Sequence, residues 1–213
     1  MKRFFLGCLL SVVAVFPAFA ALQEDDTAPD FNTQASFAGK PFAFSLREAL
    51  KKGPVVVYFY PTAYGRGCNI QARTFAINHD KFTAAGATIV GVSLDSIDRL
   101  NKFSADPDYC ASKFPVASDV DGKIANAYGL TVDGSAVGRK DSLGVQVDHG
   151  SIERTTFIVA TNGKIVATVG GLKPAENVEK ALEFVQHQTK VEQTTQQLFD
   201  LAEMKRFFQL LIS

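Results

Sequence analysis

Two uninterrupted apolar runs rich in β-branched residues, Val55 to Tyr60 and Ala87 to Leu94, bracket a stretch of helical character from Asn69 to Ala85. A strand that is apolar at every position has both faces buried, the situation of an interior strand in a parallel sheet and not of a half-exposed antiparallel one. Parallel neighbours need a crossover, and the intervening helix supplies it. The chain is therefore expected to build an α/β sheet around these two strands, covered by helices.

The remaining signals fit that frame. Leu46 to Lys52 predicts a helical turn stopped by Gly53-Pro54, after a short strand or turn that starts at Phe42. Gly86 suits the left-handed position that closes a helix. Ser96 stands where a helix bearing Ile97, Leu100 and Phe103 on one side begins, and Asp106-Pro107-Asp108 interrupts it, leaving Cys110 on a second turn or loop. Phe114 to Ser118 predicts a strand and Ile124 to Tyr128 a short helix, whereas Leu130 to Gly150 has no clear period. Glu153 to Ala160 and Lys164 to Val169, joined through Thr161-Asn162-Gly163, predict an antiparallel hairpin. Pro174 then opens a helix with Val178, Leu182 and Val185 on one face.

At 213 residues the chain suits one domain with a sizeable core. Lys2 and Arg3, the apolar Phe4 to Phe16 and the small residues of Ala18-Phe19-Ala20 predict a signal peptide, residues 1–20, cut after Ala20. A buried first helix, a membrane anchor or a lipoprotein through Cys8 are the alternatives, but the apolar stretch is shorter than the ~20 residues of a span. Residues 21–27 are polar and acidic and are expected to be flexible, with the domain over 28–186 and a helical tail over 187–213. The 22 Lys and Arg balance the 22 Asp and Glu, and cleavage removes two cations, so no strong field draws the chain to nucleic acid or membrane. Export places it in the periplasm or outside the cell, where its remaining cysteines, Cys68 and Cys110, can form a disulfide.

Cys68 follows the first buried strand and Pro61, where the next helix starts. Unpaired backbone N–H groups and the positive end of the helix dipole favour a thiolate there, which makes Cys68 the candidate nucleophile. His79, His149 and His187 are scattered and stand at no metal-ligand spacing, so neither a metal nor an organic cofactor is expected.

The stretch Pro61 to Gln71 resembles the active-site loop of the peroxiredoxins, in particular of the AhpC/TSA type and its bacterioferritin-comigratory-protein-like group. Pro61 and Cys68 stand seven apart and Gln71 follows three later, as in that family, and Ala28-Pro29-Asp30-Phe31 resembles the family's opening. The resemblance implies a thioredoxin-like fold, a central mixed β-sheet flanked by helices, and a thiol-dependent peroxidase acting on hydrogen peroxide or small organic hydroperoxides. It implies Cys68 as the peroxide-attacking thiol, Arg154 as the active-site arginine and Pro61 as the shield of the thiolate. Cys110 would be the resolving thiol; a permanent disulfide or an unreactive buried thiol are the other readings of that residue. Arg66 is a rival cation, and an edge arginine paired with Glu153 is the plain alternative for Arg154. The family's Thr or Ser falls on Gly65, so the N–H groups at Gly67 and Cys68 would hold the peroxide in a slower enzyme, which Gly65→Thr should accelerate.

The implied partners are a hydroperoxide and a thiol electron donor that the sequence does not name. The tail is expected to dock on the domain or on a second copy of the chain, and its Met204 to Phe208 repeats the first five residues, for which no physical account is offered. Two other functions fit the same residues: a binding scaffold that lost the peroxide site at Gly65, and a general thiol-disulfide oxidoreductase.

Overall fold

The computed structural model describes residues 20–212, so the expected leader lies outside the described residues apart from Ala20. A seven-stranded mixed sheet runs in the order β2 (Lys40–Ser45), β1 (Asn32–Phe37), β5 (Val116–Ser118), β4 (Thr88–Ser93), β3 (Val55–Phe59), β8 (Thr155–Val159), β9 (Ile165–Gly170). The two apolar runs form its centre, with β3 parallel to β4 and Val57 opposite Val90, as their continuous burial requires. The expected hairpin is β8 and β9, antiparallel on the other side of β3.

Alternation along β3 divides the core in two. Val56 and Tyr58 join a cluster with Phe75, Phe82, Leu100, Phe103, Val178 and Val185. These belong to α2 (Arg66–Ala84), α3 (Ile97–Ala105) and α5 (Pro174–Ile212), which cover that face. Val55, Val57 and Phe59 point the other way, toward α1 (Leu46–Leu50) and α4 (Lys123–Ala127), where Leu46, Ala125 and Tyr128 pack. Both faces of β3 are thus sealed, and its C-terminal end is left to present Pro61 and the cysteine loop at one rim of the sheet.

Three features differ from expectation. The β1–β2 hairpin was not foreseen; its turn places Ala38 and Gly39 at positive φ (50° and 80°), and Ala-Gly is a weaker turn signal than Asn-Gly. Residues 21–27, expected to be flexible, are joined to the domain by backbone hydrogen bonds. Asp25 N donates to the Ile165 carbonyl (2.9 Å), Leu22 N to the Tyr128 carbonyl (3.2 Å), and Thr27 bridges to Lys164. The tail is no separate element, because α5 runs unbroken through it to Ile212. Thr189 Oγ1 donates to the Ala85 carbonyl at the end of α2 (2.9 Å), and beyond that anchor Leu198, Phe199, Leu201 and Met204 are exposed. The aperiodic stretch after α4 contains only β6 (Val132–Asp133), paired with β7 (Ser151–Ile152). No helix of the described residues is long and apolar enough to cross a membrane.

Candidate active site

Pro61 ends the strand that begins as β3, and the chain then crosses Thr62, Ala63 and Tyr64 before α2 starts at Arg66 with Gly65 as its N-cap. Tyr64 adopts a left-handed conformation (φ 62°), which turns the chain sharply enough to bring Cys68 back beneath the loop. Asn69 N reaches the Gly65 carbonyl (2.8 Å), so the N–H groups of Gly67 and Cys68 lie in the first helical turn, where no preceding carbonyl of the helix is available to them.

Cys68 is buried, and its Sγ lies 3.6 Å from Nη2 of Arg154. Arg154 stands immediately before β8, and the antiparallel pairing of Thr155 with Phe59 is what carries it to the end of β3 where the cysteine loop begins. It does not act as an edge arginine. Its other terminal nitrogen, Nη1, donates to Oε1 of Gln71, one turn along α2 from the cysteine. Arg66 is exposed and takes no part in this pair.

The orientation of that guanidinium is fixed from behind. Nδ2 of the fully buried Asn177, on α5, donates to the Val169 carbonyl (2.9 Å), leaving Oδ1 to accept from Thr156 Oγ1 (2.6 Å) and from Gln71 Nε2 (2.9 Å). Gln71 must then aim its oxygen at Arg154. Sequence reasoning placed Gln71 but assigned it no task, and it missed Asn177 and Thr156; a buried Asn one turn into an amphipathic helix is the signal that was available.

Burial pushes the Cys68 thiol up, while the Arg154 guanidinium and the Thr62 backbone pull it down, and burial is the larger effect. Burial thus works against the thiolate expected at rest, and Arg154 and the Thr62 backbone are the groups that oppose it. Gly67 permits their close approach, since a Cβ on it would lie 3.0 Å from Arg154 Nη2 and 3.2 Å from Pro174 Cγ. Gly65 is similarly enclosed. A Cβ there would lie 3.2 Å from Cys68 Sγ and 3.2 Å from both Cγ2 and the carbonyl oxygen of Thr62, so a side chain at 65 must displace part of the loop. Thr62 does not replace the absent hydroxyl, because its own is turned toward Asp95 Oδ1 (3.1 Å).

Cys110 follows α3, is completely buried, and belongs to the same apolar cluster as Cys68 with Tyr58, Tyr60 and Tyr64. Both thiols are free, and burial pushes that of Cys110 well up. The two residues after it, Ala111 and Ser112, both have positive φ (51° and 55°). Pro61 is half-buried at the head of the loop. No group of three or more potential metal ligands occurs among the described residues.

A buried cysteine on the first turn of a helix, paired with an arginine just before the neighbouring strand of a mixed sheet, defines a thioredoxin-fold protein built for thiol chemistry. The AhpC/TSA family profile matches residues 25–168, and the chain belongs to that family. It is similar to the bcp protein of Helicobacter pylori strain J99 (32% identity, covering 76% of this chain and 97% of that protein). Among solved structures it resembles the peroxidoxin BcpB of Mycobacterium tuberculosis, with 27% identity, a TM-score of 0.62, and 78% and 97% of the two chains covered. It also resembles the bacterioferritin comigratory protein of Xanthomonas campestris, whose structure concerns alkyl peroxide reduction, with 29% identity, a TM-score of 0.56, and 73% and 91% covered. These neighbours carry the thioredoxin-like fold expected from the sequence.

Proposed function

We propose that the protein is a thiol-dependent peroxidase that reduces hydrogen peroxide or a small organic hydroperoxide at Cys68. The observation that carries this reading is the 3.6 Å approach of Arg154 Nη2 to a buried cysteine sulfur at a helix N-terminus. The Cys68 thiolate attacks one peroxide oxygen; an S–O bond forms, the O–O bond breaks, and the departing oxygen leaves as water or alcohol after taking a proton. Arg154 faces the charge throughout, and the Gly67 and Cys68 N–H groups receive the peroxide oxygens. Pro61 limits water at the mouth of the loop. The Cys110 thiol then attacks the sulfenic sulfur, expelling water and forming the Cys68–Cys110 disulfide, which an external thiol reduces.

Stopped-flow oxidation of the reduced protein by hydrogen peroxide tests this. Wild type should react far faster than free cysteine and Cys68→Ser not at all, whereas a rate no faster than free cysteine would favour the scaffold reading. The proposal extends to export, supported by the basic, apolar and small-residue order of residues 1–20. N-terminal sequencing of the protein from its native cell should then begin at Ala21. A second copy of the chain is the proposed cover for the exposed apolar residues at the end of α5, and sedimentation should find a dimer.

A further inference from the structure

The cysteine loop is held from its other side by a buried charge cluster that the reaction just described does not use. Asp95, beyond the end of β4, is completely buried. Its Oδ2 accepts from Ala63 N (2.6 Å) and Ser93 Oγ (2.7 Å), and its Oδ1 from Thr62 Oγ1 (3.1 Å). Arg99, on α3, brings Nε to 2.9 Å from the same Oδ1, while its Nη2 donates to the Ala63 carbonyl (2.9 Å) and to Asp141. The fourth member is His149, whose side chain is only 14% exposed. Nε2 lies 3.0 Å from Asp95 Oδ1 and Nδ1 lies 2.7 Å from the Gly150 carbonyl oxygen.

Both ring nitrogens therefore face oxygen acceptors. A neutral imidazole has one N–H and can satisfy only one of them, so the geometry calls for the doubly protonated ring beside an ionised Asp95. The stretch that carries His149 and Asp141 also carries Ser142, whose N–H donates to the Tyr64 carbonyl (3.0 Å) and whose hydroxyl accepts from Asn69 Nδ2 (3.0 Å). Residues 141–149 thus form a strap across the loop that presents Cys68.

We propose that His149 is a positioning residue: as an imidazolium clamped between Asp95 and the Gly150 carbonyl it holds this strap on the Cys68 loop, and loss of its proton loosens the strap. The charged or titratable groups facing it or its partner are Asp95, Arg99 from α3, Asp141 and Asp148 from its own loop, and Tyr60 from the end of the central strand. Contact with Asp95 holds His149 above its ordinary value against the effect of burial. The clamp is accordingly complete below the free imidazole value of about 6.5 and is lost as pH rises through the higher folded one. The consequence for catalysis rests on the peroxidase reading, but the clamp itself does not.

Amide exchange in residues 134–148 of the reduced full-length protein, expressed as protection factors, tests it at about pH 6 and about pH 9, on either side of the free imidazole value. Wild type should lose about tenfold in protection on going up, while His149→Ala should be poorly protected and flat with pH. His149→Gln, which can still donate to Asp95 but carries no charge, should be intermediate and equally flat. The peroxide rate constant at about pH 6 should fall on the order of tenfold in His149→Ala and recover in part in His149→Gln. Wild-type protection that does not change with pH, or that survives in His149→Ala, overturns the clamp. An unreactive wild type overturns the peroxidase reading instead, and exchange still decides the clamp.

Discussion

Asn177 decides which end of the Gln71 amide faces Arg154, although Asn177 and Arg154 belong to different elements and the hydrogen bonds join them only through Gln71. The direction is imposed by the Val169 carbonyl, which can only accept and so turns the Asn177 oxygen toward Gln71. Replacing Asn177 by Ala strands the Thr156 hydroxyl, one Gln71 N–H and the Val169 carbonyl in the core. The expected cost is about 3 kcal/mol, read as a lower urea midpoint. Peroxide reactivity should fall as well, because Gln71 is freed to swing away from the guanidinium it holds in place.

Gly67→Ala separates geometry from folding. The added methyl would press on Arg154 Nη2 at 3.0 Å and on Pro174 at 3.2 Å, and the arginine is the partner better able to yield. A shift of that kind should reduce the peroxide rate constant by about ten- to a hundredfold with little change in thermal midpoint. A variant as fast as wild type would show that the spacing between sulfur and guanidinium is not critical.

Arg154 is the group that offsets the desolvation of the sulfur, so its removal should raise the Cys68 thiol further. Because burial already places that thiol above its ordinary value, the thiolate fraction should grow as pH rises through and beyond the ordinary thiol range. Arg154→Lys keeps a charge but not a planar fork that reaches both sulfur and Gln71. Its profile should lie at higher pH than wild type and its rate at neutral pH about a hundredfold lower. Ultraviolet titration of the thiolate would locate both curves.

The parts legible from sequence were those written in local pattern. Two continuously apolar strands gave the sheet centre, Asn162-Gly163 gave the late hairpin, and the resemblance around Pro61 to Cys68 named the cysteine and the arginine that the structure brings together. What escaped was long-range polar pairing. Asp95, Arg99, Asp141 and His149 are spread over more than fifty residues and make no motif, yet they meet around one carboxylate. The only local hint is an acid just beyond a wholly buried parallel strand, the edge at which sites gather in α/β sheets. The desolvation of Cys68 escaped for a related reason: helix position is visible in sequence, but burial of the sulfur depends on what packs above it.

Asp95→Asn tests the weight of that carboxylate. The change leaves Arg99 and His149 facing a neutral amide, and breaking one side of a buried ion cluster costs about 3–5 kcal/mol. Asp95 is held below the usual carboxylate range by His149 and the loop N–H groups, against burial. A depressed folded value means that its stabilisation is present above the unfolded value and is lost as pH falls through the folded one. Wild type should therefore lose stability in acid more steeply than Asp95→Asn, with thermal midpoints against pH as the measurement.

The Gly65 substitution expected from sequence to accelerate the enzyme needs a control that the structure supplies. Any Cβ at 65 meets Cys68 Sγ and two atoms of Thr62 at 3.2 Å, so Gly65→Ala should be slower than wild type through crowding alone. Gly65→Thr bears the same crowding and adds a hydroxyl donor, a contribution of about 2–4 kcal/mol where it meets developing charge. The threonine variant should exceed the alanine variant by tenfold or more, and equal rates would mean that a hydroxyl at this place does not reach the peroxide.

On the proposed resolving role Cys110 has to reach an oxidised Cys68 from a completely buried site, and the two residues after it are held at φ of 51° and 55°. Non-glycine residues pay about 1–2 kcal/mol each in that region, strain that is released when the segment opens. Ala111→Gly with Ser112→Gly should remove it from the closed form only, raising stability by about 1–2 kcal/mol and slowing disulfide formation about tenfold. The attack of Cys68 on peroxide should be unchanged. Stopped flow resolves the two phases, and mass spectrometry without reductant counts the disulfide. A second phase as fast as wild type would mean that opening of this turn does not limit the meeting of the two sulfurs.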